Sequence, residues 1–285
     1  MPELPEVETI KRDLTEKILY KDIKQVEVKK QNLVKQPTQE FIDILTGNQF
    51  IEINRYGKLL SFALMGDWHL LVHLKMTGQL MYQGESGILV GGHSFSSDDL
   101  VLPGKYSYIM FHFVDNTTLY FNCMRQFGYM KVVDEETKDL IISNYGVEPL
   151  TREFTKYVFN NLLDGKHTTI KQFLLNQQYI AGIGNIYVDE SCFLAGIRPT
   201  RKVSSLTDTE KERLFKAIKH ILKKAIQERG TTFNNYVDAN GNQGNYLKFL
   251  KVYGRGGKPC YTCTHPLTKT KIAGRGTVYC ATCQS

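Results

Sequence analysis

The chain has 285 residues, 42% of them hydrophobic and 23% charged, with a mean hydropathy of −0.30. That is enough for one large or two ordinary globular domains, and it excludes a disordered chain. The net charge is +7 and unevenly spread: residues 239–285 hold seven basic side chains and no acidic one, so the remainder balances at 29 against 29.

An excess confined to one end points to a polyanionic partner there. No apolar run approaches the ~18 residues of a membrane-spanning helix. The acidic N-terminus lacks the apolar segment of a signal peptide, so a cytoplasmic protein with no membrane partner is expected.

The chain opens Met1-Pro2-Glu3-Leu4-Pro5-Glu6-Val7-Glu8-Thr9. Removal of Met1 leaves Pro2 as a free secondary amine. An ordinary α-amino group titrates near pH 8, so part of it is neutral and nucleophilic in the cell. Attack on a sugar aldehyde carbon gives an iminium, an electron sink for elimination. Glu3 is a neighbouring acid/base group, and Glu6 lies one helical turn on. The same residues also read as a plain helix start, with Pro5 near the first position and Glu3, Glu6 and Glu8 at the positive end of the dipole. Val7, Ile10, Leu14 and Ile18 form one apolar stripe over residues 5–20.

From about residue 23 to 132 short β-branched and aromatic segments follow one another: Lys24–Lys29, Phe50–Asn54, Leu59–Leu64, His69–Leu74, Ile109–Val114, Thr118–Asn122 and Tyr129–Val133. Strands without long intervening helices predict an antiparallel sandwich or barrel. A short helix is expected over Thr38–Leu45, and the Gly/Ser-rich residues 84–105 read as a long surface loop. Lys58 sits on the turn Tyr56-Gly57-Lys58. Met76 follows one strand; Arg125 and Phe127 follow another. Two apolar wedges and an Arg suit a gap in a base stack, although Met76 and Phe127 also fit an ordinary core and Lys58 a solvated surface.

Beyond a junction at 134–153, with a short helix from Asp134 to Glu148-Pro149, the pattern is helical. Thr168–Asn176 is a short helix. Gly182-Ile183-Gly184-Asn185 leads into another, where bare N–H groups suit a phosphate. A longer helix spans about Asp208 to Glu228, with Thr207 and Glu210 as its capping box and Gly230 as its stop. Residues 230–246 are Gly/Asn/Thr-rich and read as mobile. The domains are expected at 1–133 and 151–250, joined by a linker at 134–150, with a terminal element at 251–285.

That terminal element holds Cys260-x2-Cys263-x16-Cys280-x2-Cys283. Two paired turns make a closed four-thiolate cage, so one structural zinc is expected and no organic cofactor. Lys269, Lys271 and Arg275, with Gly274 and Gly276, fall at the tip of the intervening hairpin, where a phosphate can approach. Cys123 and Cys192 are isolated and read as packed, reduced thiols.

Together these stretches resemble the formamidopyrimidine-DNA glycosylase family. Pro2–Thr9, Gly57–Leu60, His73–Gly78, Arg125–Gly128, Lys171–Glu190, Val252–Arg255 and Ala273–Thr277 carry the resemblance. It implies an α+β fold in two domains: an N-terminal antiparallel β-sandwich with a leading helix, then a helix–two-turn–helix domain with a β-hairpin zinc finger. It implies a monomer that acts on damaged double-stranded DNA as a glycosylase and AP lyase for oxidised purines. By that resemblance Pro2 forms the Schiff base, Glu3 is the acid/base, Glu6 supports it, Lys58 protonates during β-elimination and Arg275 binds phosphate and assists δ-elimination. Met76, Arg125 and Phe127 fill the gap left by the flipped base. His73, Lys171 and Asn185 hold phosphates, and Lys166 and Tyr106 contact DNA. Residues 230–246 correspond to the loop over the damaged base. Two positions depart from the family pattern: Cys123, where Asp is common, and Tyr106, where His is often found. A sister class acting on oxidised pyrimidines and a lesion-binding protein without catalysis are the competing readings.

Overall fold

A computed structural model describes residues 1–85, 87–92, 101–231 and 245–285. These fall into two compact units, Met1–Ser143 with Glu228–Leu247, and Asn144–Gln227 with Lys248–Ser285. Of the residues that the sequence groups with the helices of 151–250, the described 228–231 and 245–247 fall in the first unit. Residues 232–244, most of the expected loop over the base, lie outside the described residues.

In the first unit, α1 (Leu4–Ile18) precedes the strands β1 (Ile23–Val28), β2 (Phe50–Tyr56), β3 (Leu59–Leu64), β4 (Trp68–His73), β5 (Gly78–Gly84), β6 (Gly87–Gly92), β7 (Ser107–Phe113), β8 (Thr118–Cys123) and β9 (Tyr129–Asp134). The helix α2 (Thr38–Leu45) lies between β1 and β2, and α3 (Glu135–Ile142) follows β9. Two antiparallel sheets result, ordered β1-β7-β8-β5-β6 and β2-β3-β4-β9. Their inner faces share one core, in which the Phe50 ring meets Phe62, Phe111 and Phe113. The predicted stripe of α1 is buried in the same core: Val7, Ile10, Leu14 and Ile18.

The expected loop at 84–105 is corrected in part. Gly87–Gly92 is a strand paired along its length with β5. Its glycines hide it from propensity, yet packing requires one of them: a Cβ on Gly91 would stand 2.8 Å from Cγ1 of Ile10. Residues 86 and 93–100 lie outside the described residues. The helix expected from Asp134 to Pro149 is also shorter, ending at Ile142, because Val147 leaves to bridge Ile180.

The second unit holds α4 (Lys156–Leu163), α5 (Ile170–Leu175), α6 (Asn185–Ala195), α7 (Asp208–Gln227) and the hairpin β10 (Thr268–Ile272)–β11 (Arg275–Tyr279). The capping box of α7 forms as read: Glu210 Oε2 accepts from Thr207 N, and Thr207 Oγ1 accepts from Glu210 N. Helix α6 is buried on nearly every side, against α5, α7 and β11, so its acidic pair Asp189 and Glu190 lies in the interior. Among the described residues no helix is long and apolar enough to cross a membrane.

Candidate active site and nucleic-acid interface

The start of α1 is buried. Pro2 is buried, and Glu3 and Glu6 are only 3% and 9% exposed. A carboxylate out of water needs hydrogen-bond donors, and Glu6 has them. Its Oε2 accepts from Glu3 N at 2.9 Å, satisfying a helix-end N–H, and its Oε1 accepts from Thr231 N and Oγ1 at 2.8 and 3.1 Å. Gly230 makes room for this: at φ +80 its backbone passes so close that a Cβ would lie 2.6 Å from Glu6 Oε1. Arg229 adds a two-pronged pair to Asp13 at 2.7 and 2.6 Å. Glu6 thus fixes the backbone next to Pro2 and ties it to the segment that follows α7. Thr231, Arg229 and Asp13 carry no sequence signal for this role, because their partners lie more than 200 residues away.

Lys58 is 5% exposed on the β2–β3 turn, where Gly57 takes φ 59. Arg55 connects this turn to α1: its Nε donates to Glu8 Oε2 at 3.0 Å and its Nη1 to Gly57 O at 3.0 Å. Burial works against the Glu8 carboxylate, but Arg55 and Arg12 hold it below the usual range. The register continues the cluster, with Leu59 opposite His73 and His73 opposite Tyr129. His73 is 8% exposed; burial, then the Lys75 and Lys58 ammonium groups, hold its imidazole down to about 3. Lys58 and His73 are therefore neighbours at one end of the β2-β3-β4-β9 sheet.

The turns after β4 and β8 meet at one rim. Arg125 N donates to Thr77 Oγ1 at 3.0 Å, Arg125 Nη1 lies 3.4 Å from Met76 Sδ, and the guanidinium stands 5.0 Å from the centre of the Phe127 ring. Met76 and Phe127 are 38% and 54% exposed, which corrects the alternative that they are core residues. Below them Cys123 is fully buried and accepts from Gly128 N at 3.3 Å, so a thiol braces the turn that carries Arg125. Tyr106 is half-buried beside it, its carbonyl accepting from Cys123 N at 3.1 Å.

In the second unit Lys171 is fully buried. Its Nζ donates to Asp189 Oδ1 at 2.7 Å and to Gly276 O at 2.9 Å. Its ammonium is spent internally, so the expected direct phosphate contact is corrected: Lys171 holds the hairpin instead. Asp189 Oδ2 accepts from Val278 N at 3.0 Å, and Asn185 Nδ2 donates to the same Gly276 carbonyl at 3.1 Å. Burial pushes Asp189 up to about 6, against the pull of Lys171 and Val278. Glu190 accepts from the backbone N–H groups of Lys251, Val252 and Tyr253. One buried helix thereby anchors both β11 and the segment leading to the cysteines. Sequence reading passed over Asp189 and Glu190, since only burial distinguishes them from solvated acids. Arg275 remains exposed at the start of β11, and Lys166 is half-buried with its ammonium 4.7 Å from the Tyr179 ring centre.

The sulfurs of Cys260, Cys263, Cys280 and Cys283 all lie within 4.8 Å of one another, with pairs at 3.9 and 3.4 Å. A tetrahedral Zn–S4 site has edges of about 3.8 Å, so the four thiols fit the ion. Four protein ligands leave no open position, and the role is structural.

Three family models cover nearly all of this chain. The N-terminal domain of formamidopyrimidine-DNA glycosylase matches residues 1–130, its H2TH domain residues 145–236, and the zinc finger found in that family and in isoleucyl-tRNA synthetases residues 257–285. A formamidopyrimidine-DNA glycosylase of Carboxydothermus hydrogenoformans is 42% identical over 285 residues, all of both chains. That of Pelotomaculum thermopropionicum is 38% identical over 288 residues, 100% of this chain and 99% of the other. The chain belongs to the formamidopyrimidine-DNA glycosylase family. Among solved structures, a Lactococcus lactis glycosylase variant in complex with a Fapy-dG-containing DNA superposes with a TM-score of 0.87 at 31% identity, covering 99% of each chain. The Thermus thermophilus enzyme gives 0.84 at 32% identity, covering 99% of this chain and 98% of that one.

The zinc finger of this glycosylase is small, its core being Val252, Leu267 and Val278 with the cysteines. So little apolar area cannot hold the hairpin without the metal. Stripping zinc with a strong chelator is therefore expected to weaken binding to a duplex sharply while the unfolding transition of the first unit stays put. Unchanged binding by protein proven free of zinc counts against this.

Proposed function

We propose that the chain is a base-excision-repair enzyme that removes oxidised purines, 8-oxoguanine and formamidopyrimidines, from duplex DNA and then cuts the strand. The observation that carries this reading is the buried, doubly anchored start of α1, where Pro2, the N-terminal residue once Met1 is removed, stands beside Glu3, in a chain that relatives of the family match over its whole length.

In this mechanism the neutral Pro2 nitrogen attacks C1′ of the damaged nucleotide, and the C1′–base bond breaks with its electron pair leaving on the base. Glu3 takes the proton from the nitrogen and gives one to O4′, so the C1′–O4′ bond opens and the nitrogen lone pair forms the iminium. The resulting iminium accepts the electron pair released when a proton is lost from C2′, and the 3′ C–O bond breaks in β-elimination. Lys58 supplies a proton at that stage. Arg275 steadies the phosphate that leaves in a subsequent δ-elimination. Met76, Arg125 and Phe127, gathered on one rim, occupy the gap left in the stack. The hydrogen-bond donors of Asn185 at the start of α6, with Lys166, Tyr106 and His73, contact the backbone, while Lys171 acts only through Gly276. The enzyme works as a monomer in the cytoplasm, on nucleoid DNA, with one structural zinc and no organic cofactor.

The test is base release from matched duplexes containing 8-oxoguanine or thymine glycol. Release of 8-oxoguanine is expected to be faster by at least about tenfold, a transition-state difference of roughly 1.4 kcal/mol. Preference for thymine glycol would assign the chain to the pyrimidine class. Tight binding with no release of either base would make it a lesion-binding protein.

A further inference from the structure

Two consecutive residues of the segment that packs on α1 are left-handed, Arg229 at φ 60 and Gly230 at φ 80. Glycine takes this backbone freely; arginine does not, because its Cβ crowds the following carbonyl. A glycine at 229 would make the same turn with less strain, so what Arg229 contributes is its side chain. Its Nη2 stands 2.7 and 2.6 Å from the two oxygens of Asp13, whose side chain is only 12% exposed. The backbone is held on both sides of Arg229: Glu228 O accepts from Asn245 N at 2.8 Å, and Gly230 O from Tyr246 N at 3.1 Å. A strained residue that its surroundings over-determine in this way points to function.

Asp13 lies seven residues after Glu6. That is two turns along one face of a helix, about 10 Å. Arg229 grips α1 at Asp13, and Thr231, two residues on, donates its N–H and its hydroxyl to Glu6 Oε1. Two grips on one face fix residues 229–231 against both sliding and turning. The fit at Glu6 leaves no slack, since a Cβ on Gly230 would stand 2.6 Å from Oε1. A small shift of the segment therefore takes its donors away from a buried carboxylate. The other oxygen of that carboxylate holds Glu3 N at 2.9 Å. We propose that Arg229 and Asp13 are positioning residues for the reaction at the N-terminus: their ion pair sets Thr231, Thr231 sets Glu6, and Glu6 sets the backbone between Pro2 and Glu3. That this backbone carries the nucleophile rests on the function proposed above.

Arg229→Gly tests the link, because it removes the grip and relieves the left-handed strain at once. Its melting temperature is expected to hold, the relief offsetting the lost ion pair. Single-turnover release of 8-oxoguanine should fall about ten- to hundredfold, with the Kd for a duplex carrying a tetrahydrofuran abasic analogue within about twofold of the unaltered chain. Asp13→Asn should slow release to a similar extent and add nothing to Arg229→Gly, since both break one link. Amide exchange in the DNA-free chain follows the link without any chemistry: Glu3 and Thr231 N–H should exchange about tenfold faster in Arg229→Gly, with the amides of β3 unchanged. Unchanged release overturns the proposal, as does release that falls only together with melting temperature and duplex affinity, or an additive loss in the double variant. A log–log slope of binding against KCl reduced by about 0.9 would make Arg229 a phosphate contact instead. Failure of the unaltered chain to release 8-oxoguanine would tell against the function, while the exchange rates still decide the link: an unaltered rate at Glu3 sinks it.

Discussion

Blocking the Pro2 nitrogen, by retaining Met1 or by N-terminal acetylation, is expected to abolish the covalent adduct that borohydride traps on an 8-oxoguanine duplex. It should also lower base release on the order of ten-thousandfold, as loss of a nucleophile does elsewhere. The reason is chemical: only a secondary or primary amine with a free lone pair can form the iminium that borohydride reduces. Met1 is 45% exposed, within reach of removal, whereas Pro2 and Glu3 are buried at the head of α1. Glu3→Gln separates the two roles. It should slow release by about 10²–10⁴-fold through loss of the acid/base, yet still yield adduct at long times. Adduct formation by the blocked chain would exclude Pro2 and turn attention to an internal lysine, Lys58 first.

Lys171→Met is expected to cost the second unit about 3–5 kcal/mol in urea unfolding, because it strands Asp189 as an unpaired buried carboxylate. Both side chains have no solvent exposure, so screening by water cannot soften the loss. The pH dependence identifies the cause. The Asp189 carboxyl is already held up at about 6 with its partner present, and without Lys171 it rises further. A group whose folded value lies above its unfolded one near 3.9 stabilises the fold at low pH, and that contribution disappears as pH rises through the folded value. The deficit of Lys171→Met should therefore be largest well above pH 6, shrink as the pH falls towards about 6, where the variant's Asp189 is already protonated, and stay level below that. Lys171→Met with Asp189→Asn, which keeps an acceptor for Val278 N–H without the charge, should restore most of the stability. A small, pH-independent effect of Lys171→Met would show that the pair is not the anchor of β11.

Regular elements with strong periodicity were legible in the chain itself. The stripe of α1 and the cap of α7 depend on residues three to seven positions apart, which any reader of the sequence can align. The four cysteines were legible for the same reason, since thiolate geometry dictates close spacing within each pair. The strand β6 was hidden because its glycines have no β preference, and only the approach of Ile10 explains why one of them stands there. Burial reversed the reading of Lys171: a lysine in a basic, DNA-oriented chain looks like a phosphate ligand until its ammonium is found between Asp189 and Gly276.

By itself, then, the sequence determined the sandwich-then-helices architecture, the metal cage and the family, because each rests on local patterning or on motifs contiguous in the chain. Tertiary structure alone decided that Glu6 links Glu3 to Thr231, that Arg55 links α1 to the Lys58 turn, and that Met76 and Arg125 share a rim. It also decided that Arg229 reaches Asp13, two turns along α1 from Glu6. The physical reason is common to all of these. Hydrogen bonding, desolvation and charge depend on distance through space, and the partners that set the state of each group lie on other turns of the fold.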